Sequence, residues 1–293
     1  MNLPTTLEKL LEMAFSEDLG HLGDVTSDAI FTDNKTDIYW LVAKQDGVLC
    51  GSDIFRSAFN YLDREYPDKR SSYVKSEVEF YFSDGDYLKN GQKVAKIEGS
   101  LNTLLKGERV ALNFISHLSG IATQVRNWTN LISSIANTNT KILDTRKTLP
   151  GWRQLQKYAV KCGGGSNHRM GLYDMVMIKD NHIDGVGSIT KAVEMVRSKW
   201  GSRFKIEVET RDLTEVQEAL DLGVDVIMLD NMDIVTMADA VKIVNRKAAT
   251  EASGNMTLER VKDVAATGVD FISVGALTHS VTAFDFSLRK VLV

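Results

Sequence analysis

The charged residues best placed for chemistry fall at the ends of short apolar runs. Asp144 closes TKILDT, with Arg146 and Lys147 just beyond it, and Lys179 and Asp180 close MVMIKD. Glu207 and Glu209 lie in FKIEVET, Asp230 closes DVIMLDN, Ser253 closes TEAS, and Gly275 lies at the end of FISVGA. An unpaired charge on a strand meant for burial costs on the order of several kcal/mol. A charge repeated at one strand end after another therefore marks either a solvated rim or groups aimed at a ligand. Enzymes built on α/β barrels place their reactive groups at the C-terminal strand ends, and under a barrel reading the series favours a site.

The cations carry the second signal. Arg109 lies in ERVALN, Arg146 and Lys147 in TRKT, His168 and Arg169 in NHRMGL, and Lys179 in MIKDNH. Arginine makes planar bidentate contacts with carboxylate or phosphate, and lysine adds a point charge. Converging cations call for a substrate with several negative charges, while any one of them alone reads equally as a surface ion pair. Gly163, Gly164 and Gly165 suit either a close approach to a ligand or a flexible loop, and no Gly-Lys-Ser/Thr follows them to make a Walker loop. Ser253, Gly254 and Asn255, with Gly275 and Ala276, suit backbone capture of a phosphate in late barrel loops or plain turns. Glu209 and Asp230, on neighbouring strands, can hold Mg²⁺ through oxygens or water, or bond a sugar diol. The five histidines show no transition-metal spacing. His168 stands out among them, because a Gly run precedes it and Arg169 follows it.

Positioning these groups needs a repeating scaffold. From residue 140 the chain alternates strand and helix patterns, and EVQEALDLGVDVIMLDN aligns with RVKDVAATGVDFISVGA. In both, a helix closes at a glycine (Gly223, Gly268) and Val-Asp leads into a buried strand. Gly after a helix is the usual left-handed cap, and the series is the βα unit of a parallel sheet. No Gly-rich dinucleotide fingerprint follows an early strand, which favours a barrel over an open doubly wound sheet. Upstream, residues 5–15 read as an amphipathic helix with a Thr5/Glu8 capping box, and SEDLGHLGDVTSDAIF reads as loop. Residues 36–99 alternate like a mainly antiparallel sheet with one helix, and a long helix begins at residue 101.

Composition narrows the classes. The chain has 293 residues, 43% of them apolar and 25% charged, with a formal charge of −4. That is ordinary for a soluble globular protein and disfavours a bulk-basic nucleic-acid binder. No apolar run is long enough to span a membrane. Glu8, Lys9 and Glu12 interrupt the first apolar stretch, against a signal peptide. Cys50 and Cys162 form neither a disulfide framework nor a zinc pattern. A reducing, cytoplasmic setting is expected.

The run TRKTLPGWRQLQKYAVKCGGGSNHRMGLYDMVMIKDNHI resembles the central signature of the quinolinate phosphoribosyltransferases, the carboxylating nicotinate-nucleotide pyrophosphorylases. The resemblance extends to EDLGHLGDVTSD, ERVALNFISHLSGIAT, IEVET, DVIMLDNM, EASGN and FISVGALTHS, and so spans nearly the whole chain in order. Ser166 and Trp152 depart mildly from the common pattern, without removing a charge. The resemblance implies an α/β fold, with an N-terminal α/β sandwich domain followed by an incomplete (β/α) TIM-like barrel. Residues 1–25 would be a helical segment, 26–116 the sandwich with 277–293 returning to it, and 117–276 the barrel.

The same resemblance implies the activity: phosphoribosyl transfer from phosphoribosyl pyrophosphate to quinolinate with decarboxylation, in NAD biosynthesis. It implies Mg²⁺, no organic cofactor, and a homodimer or assembly of dimers. Arg146, His168, Arg169 and Lys179 would receive the quinolinate carboxylates, with Thr145 beside them. Arg109 would reach into the neighbouring subunit's site, and Lys147 would lie near the pyrophosphate end. Glu209 and Asp230 would surround ribose and metal. Ser253, Gly254, Asn255, Val274, Gly275 and Ala276 would hold the 5′-phosphate. The catalytic set would be Lys147, Glu209 and Asp230. The competing readings are a molybdate-operon paralogue of the family, a Schiff-base aldolase acting through Lys179, and a non-catalytic anion-binding barrel.

Overall fold

In the computed structural model, which describes residues 5–33, 35–67, 73–135 and 138–290, the chain divides into two units. Residues 1–123, 150–163 and 281–293 make the first, and residues 124–149 and 164–280 the second.

The first unit contains α1 (Thr5–Leu19), α2 (Val25–Ile30), β1 (Thr36–Ala43), β2 (Gly47–Val48), α3 (Ser52–Glu65), β3 (Glu77–Phe80), β4 (Tyr87–Leu88) and β5 (Lys93–Ser100). Residues 101–123 of α4 (Leu101–Ser133), then α5 (Arg153–Cys162) and the C-terminal strand β12 (Phe286–Arg289), complete it. Its main sheet is antiparallel, in the order β12-β1-β5-β3, and β2 pairs with β4. Alternating β-branched and aromatic residues make these strands, as the sequence pattern requires. Helix α3 buries Ile54, Phe55, Phe59 and Leu62, with the Phe55 and Phe59 rings 5.3 Å apart. Its first turn has no cap of its own, and the Asp84 carboxylate accepts from Gly51 N–H and Ser52 N–H instead.

Two local expectations are corrected here. Helix α1 runs on to Leu19 because Leu7, Leu11, Phe15 and Leu19 continue one buried stripe at i, i+4 spacing. The expected loop after it contains α2, started by an Asp24 side chain that accepts from Thr26 N–H and Ser27 N–H. The Thr5 side chain of the anticipated capping box lies outside the described residues.

The second unit takes residues 124–133 of α4, then β6 (Lys141–Leu143), β7 (Val176–Ile178), α6 (Asp180–Val186), α7 (Ile189–Trp200), β8 (Ile206–Thr210) and α8 (Leu213–Asp221). It continues through β9 (Val226–Asp230), α9 (Ile234–Val244), β10 (Ala249–Ser253), α10 (Val261–Ala266), β11 (Phe271–Ser273) and α11 (Ala276–His279). All six segments expected to be strands are strands. They are parallel, in the order β6-β11-β10-β9-β8-β7. Among the described residues no ladder joins β6 to β7, which leaves the seam of an incomplete barrel. Gly223 and Gly268 follow their helices at φ +61° and +89°, the left-handed stop anticipated from the repeat. No helix among the described residues is long and apolar enough to cross a membrane.

Candidate active site

Strand periodicity builds the site. Side chains two apart share a face, so Glu207 and Glu209 on β8, Met228 and Asp230 on β9, and Glu251 and Ser253 on β10 form rows. The ladders align them: Glu209 lies level with Met228, Met228 with Glu251, and Asp230 with Ser253. These rows end in a cavity of about 750 Å³ within the second unit. Every site residue anticipated from sequence lines it except Arg109, which lies in the first unit and lines a groove there with Leu10, Met13 and Trp152.

The cations are set by short local contacts. Thr145 Oγ1 accepts from Lys147 N–H at 3.0 Å, and Thr278 donates its hydroxyl to Lys147 O at 2.8 Å, which shapes the turn that carries Arg146 and Lys147. Arg169 donates from Nη1 to Met175 O at 3.1 Å. Burial, and then the like charge of Arg146, lower the Arg169 guanidinium. Two arginines close enough to oppose each other's charge favour an anion at this wall. Lys179 Nζ pairs with Glu209 Oε2 at 2.5 Å.

On the other side, Asn231 Nδ2 donates to Asp230 Oδ2 at 2.7 Å, and Asn255 Nδ2 donates to Asn231 Oδ1 at 3.2 Å. Gly254 sits at φ +94°, and a Cβ there would lie 2.1 Å from Asn231 Oδ1. Only glycine fits that close approach.

Below the cavity lies a buried cluster. His168 N–H donates to Asp144 Oδ1 at 2.9 Å, and Asn167 donates to the other Asp144 oxygen. His168 Nε2 is 3.2 Å from Glu207 Oε2 and 3.4 Å from Glu251 Oε2. Neither Glu207 oxygen nor Glu251 Oε1 has a hydrogen-bond partner among the described residues, so the ion-pair contact with the His168 ring is what offsets their burial. Burial works against charge on the ring, but Glu207 and then Glu251 outweigh it and push His168 up to about 9. Burial, and also the Glu251 charge, raise Glu207. His168 and Glu207, in contact and both raised, hold a proton between them at neutral pH.

Sequence reasoning placed Glu207 at a strand end but gave it no partner, and passed over Glu251, Asn231 and His279. The position of Glu251 two residues before Ser253 in TEAS was the available signal for it, since the two share a face.

Two family models together cover most of the chain. The C-terminal domain model of quinolinate phosphoribosyl transferase matches residues 121–289, and the N-terminal domain model matches residues 24–119. The chain belongs to the quinolinate phosphoribosyl transferase family.

Among members of the quinolinate phosphoribosyl transferase family, the chain is 42% identical to the chloroplastic nicotinate-nucleotide pyrophosphorylase (carboxylating) of Arabidopsis thaliana, over 97% of this chain and 82% of that one. The crystal structure of NadC from Streptococcus pyogenes superposes with a TM-score of 0.90 at 37% identity, covering 99% of this chain and 97% of the other. The nicotinate-nucleotide pyrophosphorylase of Francisella tularensis gives the same TM-score of 0.90 and identity of 37%, over 98% and 97% of the two chains.

Proposed function

We propose that this chain transfers the phosphoribosyl group of phosphoribosyl pyrophosphate to quinolinate with decarboxylation, yielding nicotinate mononucleotide, pyrophosphate and CO₂ in NAD biosynthesis. The observation that carries this reading is the convergence of Arg146, Lys147, Arg169 and Lys179 on one cavity that also presents Glu209 and Asp230. A dicarboxylate and a polyphosphate need such a cation cluster, and an oxocarbenium-like ribose needs carboxylates beside it.

In this reading Arg146 and Arg169 orient the quinolinate carboxylates so that the ring nitrogen faces ribose C1. Positioning of this kind is worth roughly 7–11 kcal/mol of barrier. Glu209 and Asp230 stabilise positive charge at C1, and Lys147 offsets charge on the leaving pyrophosphate. The N–C1 bond forms as the C1–O bond breaks, which leaves the ring nitrogen positive. The electrons of the adjacent C–CO₂ bond then flow toward that nitrogen, CO₂ departs, and a proton takes the vacated ring position. Ser253–Asn255 and Val274–Ala276 hold the 5′-phosphate.

Glu209 and Asp230 offer hard oxygen donors at one cavity wall, which fits Mg²⁺ with water and substrate oxygens completing its shell. Mg²⁺ bound there would neutralise charge on the departing pyrophosphate. No organic cofactor is called for. The working unit is a homodimer or assembly of dimers, with Arg109 contributed to the neighbouring subunit's site. A cytoplasmic setting accompanies this reading, and neither Cys50 nor Cys162 is in a disulfide.

The deciding experiment incubates the protein with quinolinate, phosphoribosyl pyrophosphate and Mg²⁺ and follows CO₂ and nicotinate mononucleotide. Stoichiometric formation of both is expected. Binding of both substrates without CO₂ release would select the anion-binding alternative.

A further inference from the structure

We propose that Glu207 and Glu251 are positioning residues for this reaction: from the barrel interior they hold the Nε2–H of His168 and so fix its ring against the Arg169 main chain. The inference rests on the reading of the cavity as the quinolinate site.

The argument starts from the two ring nitrogens. The Arg169 backbone N–H donates to His168 Nδ1 at 2.7 Å. A nitrogen that accepts cannot carry a proton, so the ring proton lies on Nε2, and the further proton that His168 and Glu207 together retain below about pH 9 rests on the Glu207 carboxyl, which burial also raises. Nε2 faces Glu207 Oε2 at 3.2 Å and Glu251 Oε2 at 3.4 Å. Both carboxylates are sealed from water, at 0% and 1% exposure. The opposite tautomer would aim an N–H at an N–H and leave two buried carboxylates without a donor, the costliest arrangement for such groups. The carboxylates therefore select the tautomer. The tautomer in turn frees Nδ1 to receive the Arg169 amide, and Arg169 carries its guanidinium to Met175 O and the cavity. Glu209 and Asp230 face the substrates, whereas Glu207 acts through the histidine.

The test combines ¹⁵N NMR of the histidine rings in the intact protein with steady-state kinetics. In wild type, His168 is expected to show a protonated Nε2 and an unprotonated Nδ1. Glu251→Gln keeps an acceptor and should keep that pattern. Glu207→Leu and Glu251→Leu should each give a mixture of tautomers and raise KM for quinolinate about tenfold, while KM for phosphoribosyl pyrophosphate moves much less. A protonated Nδ1 in wild type overturns the proposal, and this holds even if the leucine variants do not fold. A folded leucine variant with wild-type tautomer and wild-type KM for quinolinate overturns it too. Failure of the wild-type protein to turn over quinolinate, with the tautomer as described, would instead overturn the functional reading alone.

Discussion

Lys179 and Glu209 form an ion pair across the cavity wall, from the start of α6 to the end of β8, with the lysine about half exposed and the carboxylate largely buried. On the proposed reading, the lysine assigned to a substrate carboxylate is already held by one of the acids assigned to ribose. On that reading substrate entry divides this pair. Lys179→Met is expected to lower kcat/KM for quinolinate by about 100-fold, and Glu209→Gln to lower kcat. The double variant should fall short of the sum by about 0.5–3 kcal/mol, as for groups in direct contact. Strict additivity in this cycle would show that the pair is not coupled during turnover.

Arg169→Lys tests geometry rather than charge. Lysine cannot reproduce the planar fork, and the donation to Met175 O would be lost. KM for quinolinate should rise about tenfold or more, with KM for phosphoribosyl pyrophosphate changed little. Equal effects on both substrates would remove Arg169 from the quinolinate end.

Stability should fall as pH rises through the alkaline range. The folded state raises His168 from 6.5 to about 9. Because Nδ1 accepts from the Arg169 N–H, the proton behind this value is held with Glu207 beside the ring, and the contribution of the pair is complete below pH 6.5 and lost as pH climbs toward 9. Glu207, also raised in the fold, acts with the same sign from lower pH. Denaturant unfolding should lose up to about 1 kcal/mol per pH unit in this window, relative to His168→Gln. Parallel pH profiles for the two proteins would show that the cluster does not retain its proton.

Gly254→Ala should separate phosphate binding from quinolinate binding. The added Cβ would collide with Asn231 at a left-handed backbone position. A loss of about 1–3 kcal/mol in stability is expected, with a raised KM for phosphoribosyl pyrophosphate. A variant with unchanged KM would take this loop out of phosphate binding.

Arg109 offers a test of the assembly. Mixing Arg109→Ala with Lys179→Met should restore part of the activity, since one site of each mixed dimer would carry neither lesion. Verified mixed dimers that remain inactive would confine the function of Arg109 to its own subunit.

The barrel strands were legible because each is a short apolar run bounded by a turn, and the glycines at 223 and 268 mark where two helices must stop. The pocket cations were legible because charge is conspicuous at the end of a buried strand. The short helices were not. Helix α2 depends on the Asp24 cap and α6 is a single short run after Lys179, so neither carries a periodic apolar stripe long enough to read. Helix α5, Arg153–Cys162, is amphipathic but was absorbed into the motif that surrounds it. Glu251 was missed for a different reason. Its partner is His168, which lies far away in sequence, and nothing in TEAS alone marks a carboxylate as buried. Only the register of β8, β9 and β10 brings the three groups together.

The pairing of β6 with β11 and of β1 with β12 also sets an order of events for the nascent chain. Lys141 meets Phe271, and Trp40 meets Arg289, so an early strand in each unit waits for a partner made more than a hundred residues later. Until β11 and β12 are made, β6 and β1 each lack the partner they pair with in the fold, and such unpaired edges invite pairing with other chains. Long-range closure of this kind slows folding. C-terminal truncations that spare every cavity residue should therefore still aggregate during expression.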